Sequence, residues 1–202
     1  NLHHGVAVGE DEEKEDQHSE IKDLTTEELD CLERLVKVLR DNKDTDPKYN
    51  KVMEILQKGV EDEGPWQDKG CIIFSQYFDS ANYVARLLSQ YIKGTKIGLY
   101  AGGDKSGIYQ DGFFTKETKE NLKFMVRSRE IKVLVGTDSA SEGLNLQTLS
   151  TLINIDLPWN PTRLEQRKGR IQRIGQLADK ILIYNMRYKD SVEDRVHSLL
   201  SH

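Results

Sequence analysis

The sequence predicts an α/β protein in which a mainly parallel sheet is flanked by helices in a three-layer arrangement. From residue 69 onward, short apolar segments alternate with longer segments that have helical periodicity. The apolar segments are rich in β-branched residues, which is typical of strands buried on both faces of a parallel sheet. The alternation indicates a doubly wound fold, and ligands of such folds bind outside the carboxyl ends of the strands.

An acidic leader and two predicted helices precede this alternating region. Residues 1–23 have few apolar side chains and many charged ones, which predicts a flexible leader. A capping threonine at Thr25 or Thr26 and apolar residues at helical spacing predict a first helix, and the segment around Met53 predicts a second. We expect these two helices, within 24–64, to form a short hairpin that leads into an α/β domain at 65–202.

Within the α/β domain, the pattern predicts five strands and four helices. The strands are expected at 71–75, 96–100, 132–136, 151–156 and 180–185. The helices are expected at 78–92, 115–129, 161–173 and 190–200. After the second strand, the glycine-rich segment "AGGDKSGIYQDGFFT" predicts a long irregular loop at the ligand-binding edge of the sheet.

Charge is unevenly distributed along the chain. Residues 1–30 contain eleven acids and two bases, a net charge of −9, so the remaining residues must carry +4 to give −5 for the whole chain. A mildly basic body is compatible with nucleic-acid contact. No apolar run approaches the length of a membrane span. The two cysteines, Cys31 and Cys71, cannot staple the fold and lack metal-ligand spacing, which predicts a cytoplasmic protein with no metal site.

The segment "WNPTRLEQRKGRIQRIGQ" (159–176) contains five positive charges and one acid. On a helix, Gln166, Arg170 and Arg173 lie at i, i+4 and i+7 and form one polar stripe. Two guanidinium groups one turn apart suit the oxygens of a phosphate, particularly of a phosphoryl group in transfer. A solvated basic helix with ordinary ion pairs is the alternative. The roles of the other cations stay open between phosphate contact and local pairing: Arg163, Arg167 and Lys168.

Polar residues at the ends of neighbouring strands favour a ligand site at the same edge. Thr137 and Asp138 end the third predicted strand, where ligands bind, although Asp138 can alternatively cap the turn that follows. Gly143 permits close approach of the backbone to a nucleotide, and Asn145 can hydrogen-bond nearby. The fourth strand ends in "NIDLPWNP" and leads directly into the arginine helix.

These segments resemble motifs of superfamily 2 helicases. "TDSASEGLNLQ" (137–147) is similar to motif V, "DLPWNPTRLEQRKGRIQRIGQ" (156–176) to motif VI and "KGCIIFSQYFDSANYVARLL" (69–88) to motif IV. The Trp-Asn-Pro element before Gln-x-x-x-Arg-x-x-Arg-Ile-Gly-Gln resembles the Swi/Snf-type branch of double-stranded DNA translocases. The form of this element in which Asp-Leu-Pro precedes Trp-Asn-Pro is most similar to bacterial members of the branch, such as RNA-polymerase-associated ATPases and helicases joined to phospholipase D-like nucleases. The resemblance covers about 69–200 and implies the RecA-like C-terminal lobe of such a motor.

The resemblance implies a role for each matching residue. Arg170 and Arg173 match the arginine fingers that reach the γ-phosphate of ATP held by the other motor lobe, and Gln166 matches the glutamine beside them. Gly143 and Asn145 match motif V positions near the nucleotide. The residues that match nucleic-acid contacts are Ser75, Gln76, Gly102, Gly103, Thr137 and Trp159.

These contact assignments have structural alternatives, and one position departs from the family pattern. Trp159 can instead cover the sheet edge, and Thr137 can bond locally in a turn. Ser75 and Gln76 can be ordinary polar residues at a strand end. Glu142 stands where many helicases have arginine before the motif V glycine; a carboxylate does not bind phosphate, so we expect an arginine or a ribose as its partner.

The sequence contains no phosphate-binding loop of the form G-x-x-x-x-G-K-[ST] and no Asp-Glu box after a strand. ATP and Mg²⁺ are therefore expected to be held mainly by an N-terminal RecA-like lobe of a longer enzyme, with no cofactor bound by these 202 residues alone. By itself the chain is expected to be inactive.

The expected partners are that lobe and DNA, possibly RNA, with no membrane. Three functions stay open. The first is a lobe of a double-stranded DNA translocase, which the motifs favour. The second is a lobe of a helicase that separates strands of DNA or RNA, and the third is a non-enzymatic binding module for nucleic acid or protein.

Overall fold

The fold is built on a seven-stranded sheet with helices on its faces. The computed structural model describes residues 25–42, 46–58, 69–138, 144, 146–172 and 174–195. The helices are α1 (Thr26–Asp41), α2 (Pro47–Lys58), α3 (Phe78–Tyr91), α4 (Lys119–Arg127) and α5 (Pro161–Ile171). The strands are β1 (Cys71–Ser75), β2 (Ile97–Tyr100), β3 (Gly107–Gln110), β4 (Phe113–Lys116), β5 (Val133–Thr137), β6 (Thr151–Asn154) and β7 (Leu182–Asn185).

The strands follow the order β4-β3-β2-β5-β1-β6-β7 across the sheet. In this spatial order, the neighbours β2-β5, β5-β1, β1-β6 and β6-β7 all pair in parallel. Strand β3 pairs antiparallel with both β2 and β4. The order reverses direction at β1, from which β5 lies on one side and β6 on the other. This arrangement confirms the predicted mainly parallel sheet.

The central strand β1 is buried on both faces, as its continuous apolar sequence predicts. Cys71 and Ile73 belong to an apolar cluster that includes residues of α2 and α3. Ile72 and Phe74 belong to a second cluster that includes residues of α4 and α5. The sheet therefore forms the middle of three layers. Burial raises the pKa of the Cys71 thiol to about 12.

The two helices before the sheet belong to different compact units, which divide between residues 44 and 45. In the first unit, α1 begins with a capping box: the Thr25 hydroxyl accepts the N–H of Glu28, and the Glu28 carboxylate accepts the N–H of Thr25. No residue of α1 is buried. In the second unit, α2 contributes core residues, among them Val52 and Leu56. Both predicted helices are confirmed, and the proposed domain boundaries stay a prediction.

The expectation of a long irregular loop after β2 was wrong, because most of that segment forms the hairpin of β3 and β4. Asp111 and Gly112 connect the two strands with φ of 52° and 90°. Two successive residues with positive φ make the turn whose twist matches a two-residue hairpin. The hairpin also shortens the next helix: α4 begins at Lys119, where the Thr118 hydroxyl accepts the N–H of Asn121 at 3.2 Å.

The other predicted strands and helices are present with small shifts of their ends. The largest differences among the strands are two residues: β6 ends at Asn154 rather than at 156, and β7 begins at Leu182 rather than at 180. Of the predicted helix at 190–200, residues 192–195 are helical, and 196–202 lie outside the described residues. None of the helices that the structure describes is both long and apolar enough to cross a membrane.

Candidate functional site

The carboxyl ends of four parallel strands share one edge of the sheet. Gly136 of β5 pairs with Tyr100 of β2 on one side and with Phe74 of β1 on the other, and Phe74 pairs with Asn154 of β6. Neighbouring strands lie about 4.8 Å apart. The residues that follow these strands are therefore brought close together, as the sequence predicts for motifs IV, V and VI.

Helix α5 starts at this edge and presents one face to the sheet. The Asn160 side chain accepts the N–H of Thr162 at 2.9 Å, and Pro161 occupies the first turn, where no backbone donor is needed. The buried residues of the helix recur at helical spacing: Leu164, Arg167 and Ile171. An arginine thus occupies a position on the face that packs against the sheet.

Arg167 lies at the centre of a buried hydrogen-bond network. Its Nε and Nη2 donate to the two carboxylate oxygens of Asp138 at 2.5 and 2.8 Å, and its Nη1 donates to the Asn154 side chain and the Asp156 carbonyl, both at 2.9 Å. The guanidinium carbon lies 5.4 Å from the centre of the Phe74 ring. Only 1% of the Arg167 side chain is exposed. Of the two roles left open by the sequence, local pairing is the one observed.

Asp156 connects the end of β1 to the same network. Its Oδ2 accepts the Ser75 hydroxyl at 2.5 Å, and its Oδ1 accepts the backbone N–H of Gln76 at 2.8 Å. The Gln76 side chain donates to the Leu157 carbonyl at 3.2 Å. Ser75 is fully buried, so its hydroxyl is used inside the protein. The ends of β1, β5 and β6 are thereby tied to α5.

Arg170 differs sharply from Arg167, which lies one turn earlier on the same helix. Its Nε is buried and has no hydrogen-bond partner among the described residues. Gln166, four residues earlier, is exposed. A Cβ on Gly169 would meet no atom within 4 Å, so the space beside this stripe is open. The backbone of Arg170 is fixed in part by the N–H of Leu146, which donates to its carbonyl at 3.3 Å.

Two glutamine side chains connect the segment after α5 to the segment after β5, and we call this pair, Gln147 and Gln176, the glutamine clamp. Gln176 Nε2 donates to the carbonyls of Ile171 and Leu149 at 2.8 and 3.1 Å. Gln147 Nε2 donates to the carbonyl of Ile174. The clamp holds the arginine-bearing end of α5 against the motif V segment. Sequence reasoning missed both residues, because their acceptors are backbone carbonyls of other segments.

The predicted nucleic-acid contacts occupy varied positions at the same edge. Gly102 and Gly103 follow β2 in a loop, and Gly103 has a φ of 58° that favours glycine. Trp159 is 69% exposed, whereas Thr137 is buried. Three predicted site residues lie outside the described residues, as does Glu142: Gly143, Asn145 and Arg173.

Comparison with known proteins identifies the family. The model of the helicase conserved C-terminal domain matches residues 48–175, which is more than half of the chain. The chain belongs to the helicase conserved C-terminal domain family. This match extends from α2 to residue 175, so it includes Gln147 and ends one residue before Gln176.

Relatives of this helicase domain include much longer proteins. The uncharacterized ATP-dependent helicase YqhH of Bacillus subtilis (strain 168) is 41% identical over 133 residues, 66% of this chain and 21% of YqhH. The RNA polymerase-associated protein RapA of Vibrio atlanticus is 36% identical over 78 residues, 38% of this chain and 8% of RapA. The DEAD-box ATP-dependent RNA helicase CshB of Staphylococcus aureus is 30% identical over 115 residues, 57% of this chain and 23% of CshB. The match thus spans less than a quarter of each relative.

Solved structures of helicase lobes share the fold. The C-terminal part of the Fun30 ATPase domain has a TM-score of 0.59 at 18% identity, covering 83% of this chain and 53% of that one. The Hef helicase domain of Pyrococcus furiosus has a TM-score of 0.57 at 19% identity, covering 85% and 32%. The C-terminal domain of Dbp5 has a TM-score of 0.55 at 20% identity, covering 76% of each chain. Together with RapA and YqhH, they confirm the resemblance to a superfamily 2 C-terminal lobe.

Proposed function

We propose that this helicase domain is the C-terminal motor lobe of an ATP-dependent translocase that moves along double-stranded DNA. In this proposal, Arg170 and Arg173 reach ATP that is bound with Mg²⁺ mainly by an N-terminal RecA-like lobe of the same longer protein. Gln166, Gly143 and Asn145 lie near that nucleotide. The names of the relatives support ATP dependence, since YqhH and CshB are both described as ATP-dependent helicases.

The observation that carries the proposal is the unpartnered Nε of Arg170. A buried donor without an acceptor costs about 1–3 kcal/mol, so such groups are rare unless a ligand or function explains them. Arg167 shows that the same helix can satisfy a guanidinium fully, with donors bonded to Asp138, Asn154 and Asp156. After a local shift of the side chain that uncovers this Nε, a phosphate oxygen on the facing lobe would supply the acceptor that Arg170 lacks.

The surroundings of Arg170 suit stabilisation of a transition state. A guanidinium that is already positioned stabilises the charge on the transferring phosphoryl group without reorganising at the moment of reaction. The Arg167 network anchors the middle of α5, and Gln176 bonds to the last residue of the helix, Ile171. These contacts limit the movement of the backbone that carries Arg170, which lies between the two anchors.

The same edge of the sheet would face the DNA. Trp159 and the loop of Gly102 and Gly103 follow two different strands, and the tryptophan ring is exposed. Gln76 lies between them at the end of β1 and is half-buried. We include Ser75 and Thr137 among the proposed contacts as the resemblance implies, although both are buried in this structure and would need a local rearrangement. The cytoplasmic location also stays a prediction.

The test is ATP hydrolysis by the full-length protein, with and without a double-stranded DNA. The proposal predicts hydrolysis that DNA stimulates, together with displacement of a triplex-forming strand from a duplex track. A similarity to CshB, described as an RNA helicase, favours strand separation as a second candidate. Displacement of one strand from a partial duplex, without triplex displacement, would replace the first candidate with the second. Binding without any nucleic-acid-stimulated hydrolysis would contradict both.

A further inference from the structure

Two lysine ammonium groups lie over aromatic rings at the carboxyl edge of the sheet, and we call them the lysine pair. Lys105 Nζ is 4.8 Å from the centre of the Phe78 ring, and Lys119 Nζ is 5.7 Å from the centre of the Tyr100 ring. Within the part of the chain that the structure describes, neither ammonium has a carboxylate within 4.0 Å. An ammonium over a ring face is weakly attracted to the ring, which favours one position for its flexible stem.

The carboxylates around the lysine pair already have partners. Asp104 pairs with Lys116 at 3.1 Å, and Glu120 pairs with Lys123 at 2.9 Å. Glu117 accepts the backbone N–H of the next residue at 2.8 Å, and this bond lowers the pKa of its carboxyl. Local acids are therefore bonded to other groups, which leaves the charges of the lysine pair available to an external anion.

Backbone contacts bring the pair to the two sides of one loop. The Ser106 hydroxyl bonds to both the N–H and the carbonyl of Ala101, at 3.0 and 2.9 Å, and so closes the loop that contains Gly102 and Gly103. The N–H of Glu117 donates to the Ser106 carbonyl at 3.1 Å. One lysine immediately precedes Ser106, and the other follows Glu117 by two residues. Both cations therefore lie beside the glycine loop.

We propose that Lys105 and Lys119 bind phosphates of a nucleic-acid backbone that passes the loop of Gly102 and Gly103. A lysine ammonium is a compact point charge suited to a phosphate oxygen, and the glycines present no side chain that would keep a backbone away. The inference deepens the proposed function and rests on it. It supplies cationic contacts at an edge where the residues that the motifs assign to nucleic-acid contact are all uncharged.

The lysine pair has a specific thermodynamic signature. Each cation that neutralises a phosphate of duplex DNA releases condensed counterions, and the plot of log Kobs against log[salt] becomes steeper by about 0.9 per contact. We expect Lys105→Ala and Lys119→Ala in the full-length protein each to make this slope shallower by roughly one unit, and the double variant by roughly two. The measurement is nucleotide-free binding to a duplex of mixed sequence across a series of NaCl concentrations.

Matched variants separate this effect from a general change of charge. Lys96→Ala removes the same charge at the opposite edge, where Lys96 pairs with Glu130, and it should leave the slope unchanged. Lys105→Arg keeps the charge and should retain the slope. Thermal unfolding of each variant checks folding. A double variant with the slope of Lys96→Ala would overturn the inference.

A parallel titration with single-stranded RNA distinguishes the two backbones that share this chemistry. With whichever nucleic acid binds more tightly, the Lys105→Ala and Lys119→Ala variants should show the shallower salt slope. An unchanged slope with that nucleic acid would overturn the inference. Hydrolysis at saturating nucleic acid separates this inference from the proposed function. If the Lys105→Ala slope is unchanged while Arg170→Ala abolishes hydrolysis, only the lysine inference fails. If the unmodified protein neither binds nucleic acid nor hydrolyses ATP, both fail.

Discussion

Arg167 and Asp138 form a buried ion pair in which two parallel hydrogen bonds, of 2.5 and 2.8 Å, join α5 to the end of β5. A buried pair contributes little net stability compared with apolar residues of similar volume, because both charges must leave water. Its effect is geometric: the planar guanidinium fixes the rotation of α5 relative to the strand ends. The rotation of α5 in turn sets the direction in which Arg170, one turn later on the same helix, projects.

Replacement of Arg167 by alanine should strongly destabilise the domain. It would leave the carboxylates of Asp138 and Asp156 partly buried without their cation, which typically costs about 3–5 kcal/mol. Arg167→Lys should recover little of this loss, because an ammonium cannot reproduce the two-pronged contact. Urea unfolding measures the change, and the exposed Arg163→Ala serves as control, expected within about 0.5 kcal/mol of the unmodified protein. An Arg167→Ala variant as stable as this control would contradict the interpretation.

The glutamine clamp should affect catalysis more than binding. Gln176→Met keeps the side-chain length but removes the donor to the carbonyls of Ile171 and Leu149. A small displacement of Arg170 can lower kcat on the order of 10²-fold, whereas the affinity for ATP should change little. Steady-state hydrolysis by the full-length protein measures both parameters. Gln172→Met, at an exposed position next to α5, should keep the normal kcat. Equal kcat values for the two variants would count against the clamp.

The two cysteines should react very differently. Burial raises the pKa of the Cys71 thiol from 9.0 to about 12, whereas Cys31 is exposed. Since the thiolate is the reactive form, iodoacetamide at pH 8 should label Cys31 and spare Cys71 until denaturant is added. Peptide mapping by mass spectrometry reads each site separately. Equal labelling of both cysteines in the folded protein would contradict the buried position of Cys71.

The raised pKa of Cys71 also predicts that the free energy of unfolding falls as the pH rises above 9. The neutral thiol is favoured in the folded state, so the unfolded state loses its proton first as the pH rises above 9.0. The stabilising contribution is therefore complete below pH 9 and is lost as the pH approaches about 12. Between pH 9 and 11, we expect the free energy of unfolding to fall less steeply in Cys71→Ala than in the unmodified protein. Identical slopes would show that this thiol ionises equally in both states.

The 202 residues alone should not hydrolyse ATP. Their sequence contains no phosphate-binding loop, and an arginine finger accelerates hydrolysis only when it meets a nucleotide bound elsewhere. A phosphate-release assay on the purified chain, with and without DNA, should give the rate of the buffer. Turnover that DNA stimulates would contradict the assignment of ATP binding to another lobe.

The parallel part of the fold was predictable because its strands are buried on both faces. Strand β1 (Cys71–Ser75) has the bounds that its apolar run predicts. The hairpin of β3 and β4 was missed because its strands have four residues each and follow the paired glycines at 102 and 103. Asp111 and Gly112 are the kind of pair that forms a two-residue hairpin turn. That signal is present in the sequence, but it lies within a glycine-rich segment whose composition predicts a loop.

The sequence predicts that the candidate site lies at the carboxyl edge of the sheet, but it does not predict the hydrogen-bond partners of individual side chains. Helical spacing placed Gln166 and Arg170 on one stripe, and the order of the motifs placed that stripe near the strand ends. Spacing could not distinguish Arg167 from Arg170, since the acceptors of Arg167 come from three separated positions of the chain, Asp138, Asn154 and Asp156. Which guanidinium is satisfied internally depends on the packing of α5.

The central claim is that Arg170 acts on ATP held by another lobe, and kcat for DNA-stimulated hydrolysis by the full-length Arg170→Ala variant tests it most directly. The matched control is Arg86→Ala, which removes an exposed arginine from α3. We predict a loss of roughly 10³-fold or more for Arg170→Ala, with ATP and DNA affinities close to those of the control. A kcat within a few-fold of Arg86→Ala would contradict the account.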